Sequence, residues 1–214
     1  MVKENGMVVC GFSAGGHLCG SLCVHYEDIL DDAEEYAGIS NRPDAAILCY
    51  PVVTSGEKAH RDSFIALLGS GAASEELDYV SLEKQVKRHT PPCFLWATAT
   101  DELVPVENSE LFVSACRKKG VPCAFHMFPS GAHGLSLAND DWSNGVHVNP
   151  YTMEQTMRIA EKVMSGEFSA PKDVMEVFAQ MQTGQSDGPI GIPNPEVSVW
   201  PELADAFLQG LNLK

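Results

Sequence analysis

A serine flanked by glycines stands where an apolar run meets a helix-forming one, in Gly11-Phe12-Ser13-Ala14-Gly15. In a G-x-S-x-G turn the serine occupies a strained strand-to-helix corner, and the flanking glycines, here Gly11 and Gly15, leave room for it. The hydroxyl is pushed out at the carboxyl edge of a sheet, ready to act as a nucleophile. The next backbone N–H, that of Ala14, opens a helix and aims at the same spot, where it could hold an oxyanion. The pentapeptide alone is a weak signal. Its strength is the context, with MVVC (7–10) reading as a strand before it and 14–25 as a helix after it.

An elbow serine needs a base and a group that orients the base, in the chain order serine, acid, histidine. Both are expected at the carboxyl ends of later strands, where open α/β sheets place their sites. The apolar run FLWATA is followed by Thr100-Asp101-Glu102, and AFHMF by PSGAHGLSL, which sets His133 in a glycine-flanked loop. Ser13, Asp101 and His133 are therefore the expected nucleophile, acid and base. Glu102 is read as a solvated neighbour of the acid, His126 as a residue packed within its strand and His17 as structural or pocket-lining. His25, His60, His89 and His147 have no partner motif, and a surface placement is expected for each. Asp140 and Asp141 read as a loop or helix-capping pair.

The elements that must position these residues follow from periodicity. Strands are expected at 7–10, 44–50, 92–99 and 123–128, each short, apolar and rich in β-formers. Helices are expected at 14–25 and 106–119, the second stopped by Gly120. Strand and helix in alternation imply parallel strands with right-handed crossovers, and near-continuous apolar strands imply a sheet covered on both faces. The fold class is α/β, a doubly wound, mainly parallel sheet. After residue 138 the pattern changes to a polar stretch, 139–150, and then to two amphipathic segments. Residues 151–164 align Met153, Met157, Ala160 and Met164, and 171–181 align Val174, Phe178 and Met181. A Gly/Pro-rich connector, 186–196, leads to a last helix over 197–211, so the reading is one domain over 1–214 with a helical insertion at about 140–196.

Composition narrows the function classes. Asp plus Glu number 29 against 14 Lys plus Arg, a formal charge of −15, which disfavours nucleic acid and anionic membranes as partners. No apolar run approaches the roughly 20 residues that span a bilayer, and no secretory signal pattern opens the sequence. The seven cysteines show no paired C-x-x-C spacing, so buried thiols in a reducing, cytoplasmic setting are expected rather than a metal site or a disulfide framework.

The segments GFSAGGHL, RPDAAILCYPV, TPPCFLWATATDELVPVENSELF, GVPCAFHMFPSGAHGLSLAN and VSVWPELADAFL resemble the α/β-hydrolase superfamily, in its acetyl esterase/acetylxylan esterase-like branch. The similarity spans roughly 5–139 and 196–211, and its D-x-x-V-P-V-E-N and G-x-H-G elements accompany the elbow in family-like order. It implies hydrolysis of a small carboxylic ester, often an acetyl ester, with no metal and no other cofactor. It also places nucleophile, acid and base on Ser13, Asp101 and His133. The sequence departs from that pattern in two ways. Only MVKENG precedes the elbow strand, and no HGG motif supplies a second oxyanion donor beside Ala14. The fold is therefore expected to lack its N-terminal part, with the elbow strand near the N-terminus as a bare sheet edge. A second copy of the chain, a separately encoded N-terminal half or the 140–196 segment is expected to cover that edge. Two rival functions stand beside the esterase: a peptidase of the prolyl-oligopeptidase type, with the same triad order, and a catalytically impaired binding or assembly module.

Overall fold

The computed structural model describes residues 6–28, 38–146, 158–169 and 191–211. The chain divides into two compact units, one formed by Met1–Leu137 with Asn194–Lys214 and the other by Ala138–Pro193.

Among the described residues the first unit is built on four parallel strands, β1 (Val8–Phe12), β2 (Ala45–Cys49), β3 (Cys93–Thr98) and β4 (Cys123–Phe128), hydrogen-bonded in that order. Registers such as Gly11↔Leu48, Leu48↔Leu95 and Leu95↔Phe125 bring the carboxyl ends of all strands to one edge. Side chains alternate across the sheet, so one face carries Ala46, Leu48, Cys93 and Leu95. That face packs with Cys23 and Val24 of helix α1 (Ala14–His25) and with Phe112, Val113 and Cys116 of α5 (Glu107–Lys119), the main core of the unit. The other face meets the C-terminal helix, Trp200–Gly210. There Trp200 stacks on Trp96 at 5.8 Å and meets Phe12 at 5.9 Å, while Phe207 lies 6.1 Å from Phe94. Both faces are thus covered, which is why these strands are apolar at nearly every position.

The ends of α5 follow its sequence. Glu107 and Glu110 stand in its first turn and Arg117, Lys118 and Lys119 in its last, each set opposite the helix-dipole charge it favours. Gly120 takes a left-handed φ of 71° and its N–H caps Arg117 and Cys116 carbonyls. Between β2 and β3 the chain forms three short helices, α2 (Arg61–Leu68), α3 (Ser74–Val80) and α4 (Leu82–Gln85).

The cysteine reading needs one correction. Cys23, Cys49, Cys93 and Cys116 are buried, but Cys10 is exposed, because β1 is the edge of the four-strand sheet and its Cys10 face is thinly covered.

In the second unit the stretch expected to be polar loop contains a short helix, α6 (Asp140–Ser143), capped by Asn139, whose side chain accepts from the Trp142 N–H at 2.9 Å. Asp140 and Asp141 lie in its first turn. Residues 158–164 are helical, with Ala160 and Val163 buried and Met164 exposed. The buried stripe here runs through Val163 instead of Met164, one residue from the expected face. Met153, Met157 and the 171–181 segment lie outside the described residues.

Candidate active site

The corner after β1 has the strain that the motif implies. Ser13 adopts φ 55°, ψ −119°, a left-handed region that non-glycine residues rarely occupy. Its N–H donates to the Cys49 carbonyl at 2.9 Å, and its carbonyl accepts from the His17 N–H at 3.1 Å and the Val52 N–H at 3.2 Å. The turn is tight enough that a Cβ on Gly11 would fall 2.1 Å from the Gly15 carbonyl oxygen. A Cβ on Gly15 would meet open space, so the second sterically required glycine is Gly16, whose Cβ would lie 2.9 Å from Pro51 Cβ.

Asp101 lies three residues beyond β3 and its side chain is almost wholly buried. Its Oδ1 accepts the Leu103 and Val104 N–H groups, each at 2.9 Å, which fixes the carboxylate and leaves Oδ2 to face the histidine loop. That loop is pinned to the end of β3 by two threonines. The Thr98 hydroxyl donates to the Gly131 carbonyl at 2.7 Å, and Thr100 accepts the Gly131 N–H at 2.9 Å. Gly131 tolerates this closeness because it has no Cβ; one would lie 2.6 Å from Leu135 and 2.8 Å from Thr98.

These anchors bring the three expected residues together. His133 Nδ1 lies 2.7 Å from Asp101 Oδ2, and His133 Nε2 lies 2.7 Å from Ser13 Oγ. A carboxylate oxygen only accepts, so the Nδ1 proton points at Asp101 and Nε2 is left with its lone pair toward the serine hydroxyl. Ala14 is the first residue of α1, so its N–H has no partner within the helix. A cavity of about 530 Å³, mainly apolar, opens beside it between α1 and α2, lined by Ala14, His17, Leu18, Val52, Phe64 and Leu67.

Two residues of the site went unread in the sequence. Tyr50, immediately after β2, sits at φ 38° and sets its ring edge-on to His133 at 4.9 Å. Its hydroxyl accepts the Ser136 N–H at 3.1 Å, so it braces His133 and its loop together. Burial raises the Tyr50 phenol to about 12 and keeps it neutral. Asn108 is buried under the same edge. Its Oδ1 accepts the Val53 and Thr54 N–H groups at 3.0 and 3.1 Å, while its Nδ2 donates to the Lys58 and Pro105 carbonyls at 2.9 and 3.0 Å. Asn108 ends the V-P-V-E-N string, and an amide with no apolar periodicity to explain it was the available signal.

The remaining candidates fall elsewhere. Glu102 is exposed and His126 packs beside Phe94 at 5.2 Å. His25 is buried rather than at the surface, because its two nitrogens find Asp28 at 2.8 Å and the Tyr79 carbonyl at 3.0 Å. His60 bonds Ser63 at 2.8 Å and His89 meets Glu27 at 2.9 Å. His147 lies outside the described residues. Among the described residues no cluster of His, Cys, Asp and Glu has the makings of a metal site, and no helix is long and apolar enough to cross a membrane.

Comparison with known proteins places this geometry in a family. Over 152 residues the chain is 56% identical to endo-1,4-beta-xylanase B of Butyrivibrio fibrisolvens, covering 71% of this chain and 24% of that protein. Over 173 residues it is 30% identical to an acetylxylan esterase of Xylanibacter ruminicola, covering 74% of this chain and 34% of that protein. The crystal structure of an acetyl ester-xyloside bifunctional hydrolase from Caldicellulosiruptor lactoaceticus superposes with a TM-score of 0.61 at 38% identity, over 78% of this chain and 59% of that one. The chain thus spans a quarter to a third of these curated relatives and about three-fifths of the solved structure. Residues 1–147 match the prolyl oligopeptidase family. The chain belongs to the prolyl oligopeptidase family and has an α/β-hydrolase fold.

Proposed function

We propose that this chain carries the catalytic centre of a serine carboxylester hydrolase acting on short acyl esters, acetyl esters foremost. The observation that carries the reading is the unbroken chain from Ser13 Oγ through His133 to Asp101, with 2.7 Å at both links. In this mechanism Ser13 Oγ attacks the ester carbonyl carbon while His133 Nε2 takes its proton. Asp101 holds the His133 tautomer and balances the imidazolium charge. The tetrahedral oxyanion rests on the Ala14 N–H, at the positive end of α1. Collapse expels the alcohol, which receives the proton from His133, and leaves an acyl-serine. Water then attacks the acyl carbon, giving a proton to His133, and the carboxylic acid departs as that proton returns to Ser13.

The names of the acetylxylan esterase and the acetyl ester-xyloside hydrolase support the choice of acetyl esters. Ala14 supplies one oxyanion donor, and turnover with that donor alone is expected to be low. One missing donor typically costs about 10²–10³ in kcat.

The test is hydrolysis of p-nitrophenyl acetate and butyrate by the chain and by its Ser13→Ala variant. Turnover that needs Ser13 and favours acetate upholds the reading; equal rates in two folded proteins refute it. The family match favours a second reading, a peptidase with the same triad. Faster Ser13-dependent cleavage of peptide anilides than of the esters would put the peptidase first.

A further inference from the structure

We infer that His17 is a positioning residue for the oxyanion donor: through Val52 it holds the Ser13–Ala14 peptide plane, and so sets the aim of the Ala14 N–H. The inference rests on the ester-hydrolase reading above.

The geometry forms a closed ring of hydrogen bonds. The Ser13 carbonyl accepts from the His17 N–H at 3.1 Å and from the Val52 N–H at 3.2 Å. His17 Nδ1 lies 3.1 Å from the Val52 carbonyl oxygen, so the side chain of His17 returns to the residue that grips Ser13. A carbonyl only accepts, which makes Nδ1 the protonated nitrogen. The Ser13–Ala14 peptide is planar and trans, with its C=O and N–H directed oppositely. Whatever fixes the Ser13 oxygen therefore fixes the direction of the Ala14 hydrogen. Two other groups make Val52 a firm anchor. The next N–H, that of Val53, is bound by Asn108 at 3.0 Å, and Gly16 lets α1 approach Pro51 closely.

The other half of the imidazole argues that the donor is the reason for a histidine here. Nε2 is buried and has no hydrogen-bond partner among the described residues, although the ring lines the cavity beside Ala14. A buried polar atom without a partner carries a desolvation cost that an apolar side chain packed on Phe64 would avoid. The ring meets Phe64 edge-on at 5.6 Å, a contact that leucine or phenylalanine could replace. Only Nδ1–H does something they could not. Burial also lowers the affinity of His17 for a second proton, so the ring stays neutral and Nδ1 remains its one donor.

Three variants separate the roles. His17→Leu removes the donor and keeps the bulk. His17→Asn places an amide N–H where Nδ1 stood, and Ser13→Ala reports on the background. With p-nitrophenyl acetate, His17→Leu is expected to lower kcat about tenfold with KM nearly unchanged. That is a part of the roughly 10²–10³ set by losing an oxyanion donor outright. His17→Asn is expected to recover most of the loss, and a trifluoromethyl ketone inhibitor should weaken in step with kcat. Wild-type kcat in His17→Leu, or equal losses in the leucine and asparagine variants, would overturn the inference. A readout independent of turnover is the ¹⁵N spectrum of the His17 ring in the unmodified chain, expected to show Nδ1 protonated and Nε2 bare. The opposite tautomer refutes the ring of bonds whatever the activity. Turnover that survives Ser13→Ala would instead sink the ester-hydrolase reading, with the tautomer still deciding the role of His17.

Discussion

Replacing Asp101 by Asn tests the centre most directly, because the structure dictates which way the new amide must face. Asp101 Oδ1 accepts two backbone N–H groups, from Leu103 and Val104, while Oδ2 faces one donor, His133 Nδ1. An asparagine has one oxygen and one NH₂. Turning the NH₂ toward two N–H groups would bury donors against donors, at about 1–3 kcal/mol for each unpaired group. The oxygen therefore stays with Leu103 and Val104, and the NH₂ points at His133. Nδ1 must then accept, the ring proton moves to Nε2, and Nε2 can no longer take the proton of Ser13. The fold is kept and the tautomer is wrong. A wrong tautomer of this kind costs about 10⁴ in kcat, or about 5.4 kcal/mol of barrier. KM should scarcely change, because the Asp101 side chain is buried away from any substrate. The assay is steady-state hydrolysis of p-nitrophenyl acetate with Ser13→Ala as baseline, paired with urea unfolding. Asp101→Ala provides the contrast, since it strips Leu103 and Val104 of their acceptor and should lose about 2 kcal/mol or more of stability. A loss in Asp101→Asn below about tenfold, or unfolding at the same urea concentration as Asp101→Ala, would refute the reasoning.

Three further outcomes are expected. Gly11→Ala drives a Cβ to 2.1 Å from a backbone oxygen and should cost about 3 kcal/mol or more, whereas Gly15→Ala meets nothing and should be neutral or slightly stabilising; thermal melts of the pair check this. Asn108→Ala strips the buried Val53 and Thr54 N–H groups of their acceptor and should lower stability by about 2–4 kcal/mol, while Asn108→Asp, which keeps that acceptor, should lose less; urea titrations would show the order. The Tyr50 phenol ionises at about 12 in the folded chain but at about 10 when unfolded, so the unfolded state sheds its proton first. Stability from this group is full below pH about 10 and is lost as pH rises toward about 12, and Tyr50→Phe should flatten that stretch of the curve.

The parts of this molecule legible in the sequence were those governed by local rules. The four strands fall within a residue or two of the runs that suggested them, and α1 begins and ends at Ala14 and His25, the bounds expected of it. Gly120 ends α5 because only a left-handed residue fits there. Ser13, Asp101 and His133 could be picked out because each follows a strand, and parallel strands deliver their ends to one edge. The residues between β2 and β3 resisted reading for the opposite reason. Helices α2, α3 and α4 are short, and α2 buries only Phe64, so no apolar period stands out. The burial of His25 leaves no mark in the sequence, because its partners, Asp28 and Tyr79, are three and 54 positions away and carry no motif. Gly15 and Gly16 could not be ranked, because the obstacle that decides between them, Pro51, approaches only in the folded chain.

What the sequence hid most fully is the segment that leaves β2. It supplies none of Ser13, Asp101 and His133, yet residues 50–53 bond to Ser13, to the His133 loop and to Asn108 beyond Asp101. Tyr50 braces His133 and, through Ser136, the loop that carries it. Val52 grips the Ser13 carbonyl and is gripped in turn by His17. Val53 is bound by Asn108, which stands at the start of α5 just beyond the Leu103–Val104 turn that cradles Asp101. Cys49, the residue before them, accepts the N–H of Ser13 itself. A sheet aligns strand ends only to the accuracy of its register, while proton transfer between Ser13 and His133 needs hydrogen-bond contact. The β2 exit lies beside β1 on one side and β3 on the other, and it bonds to Ser13 after β1 and to Asn108 after β3. Under the ester-hydrolase reading, substitutions at Tyr50 and Val53 should act on kcat more than on KM, which would extend the determinants of rate to residues that no catalytic motif contains.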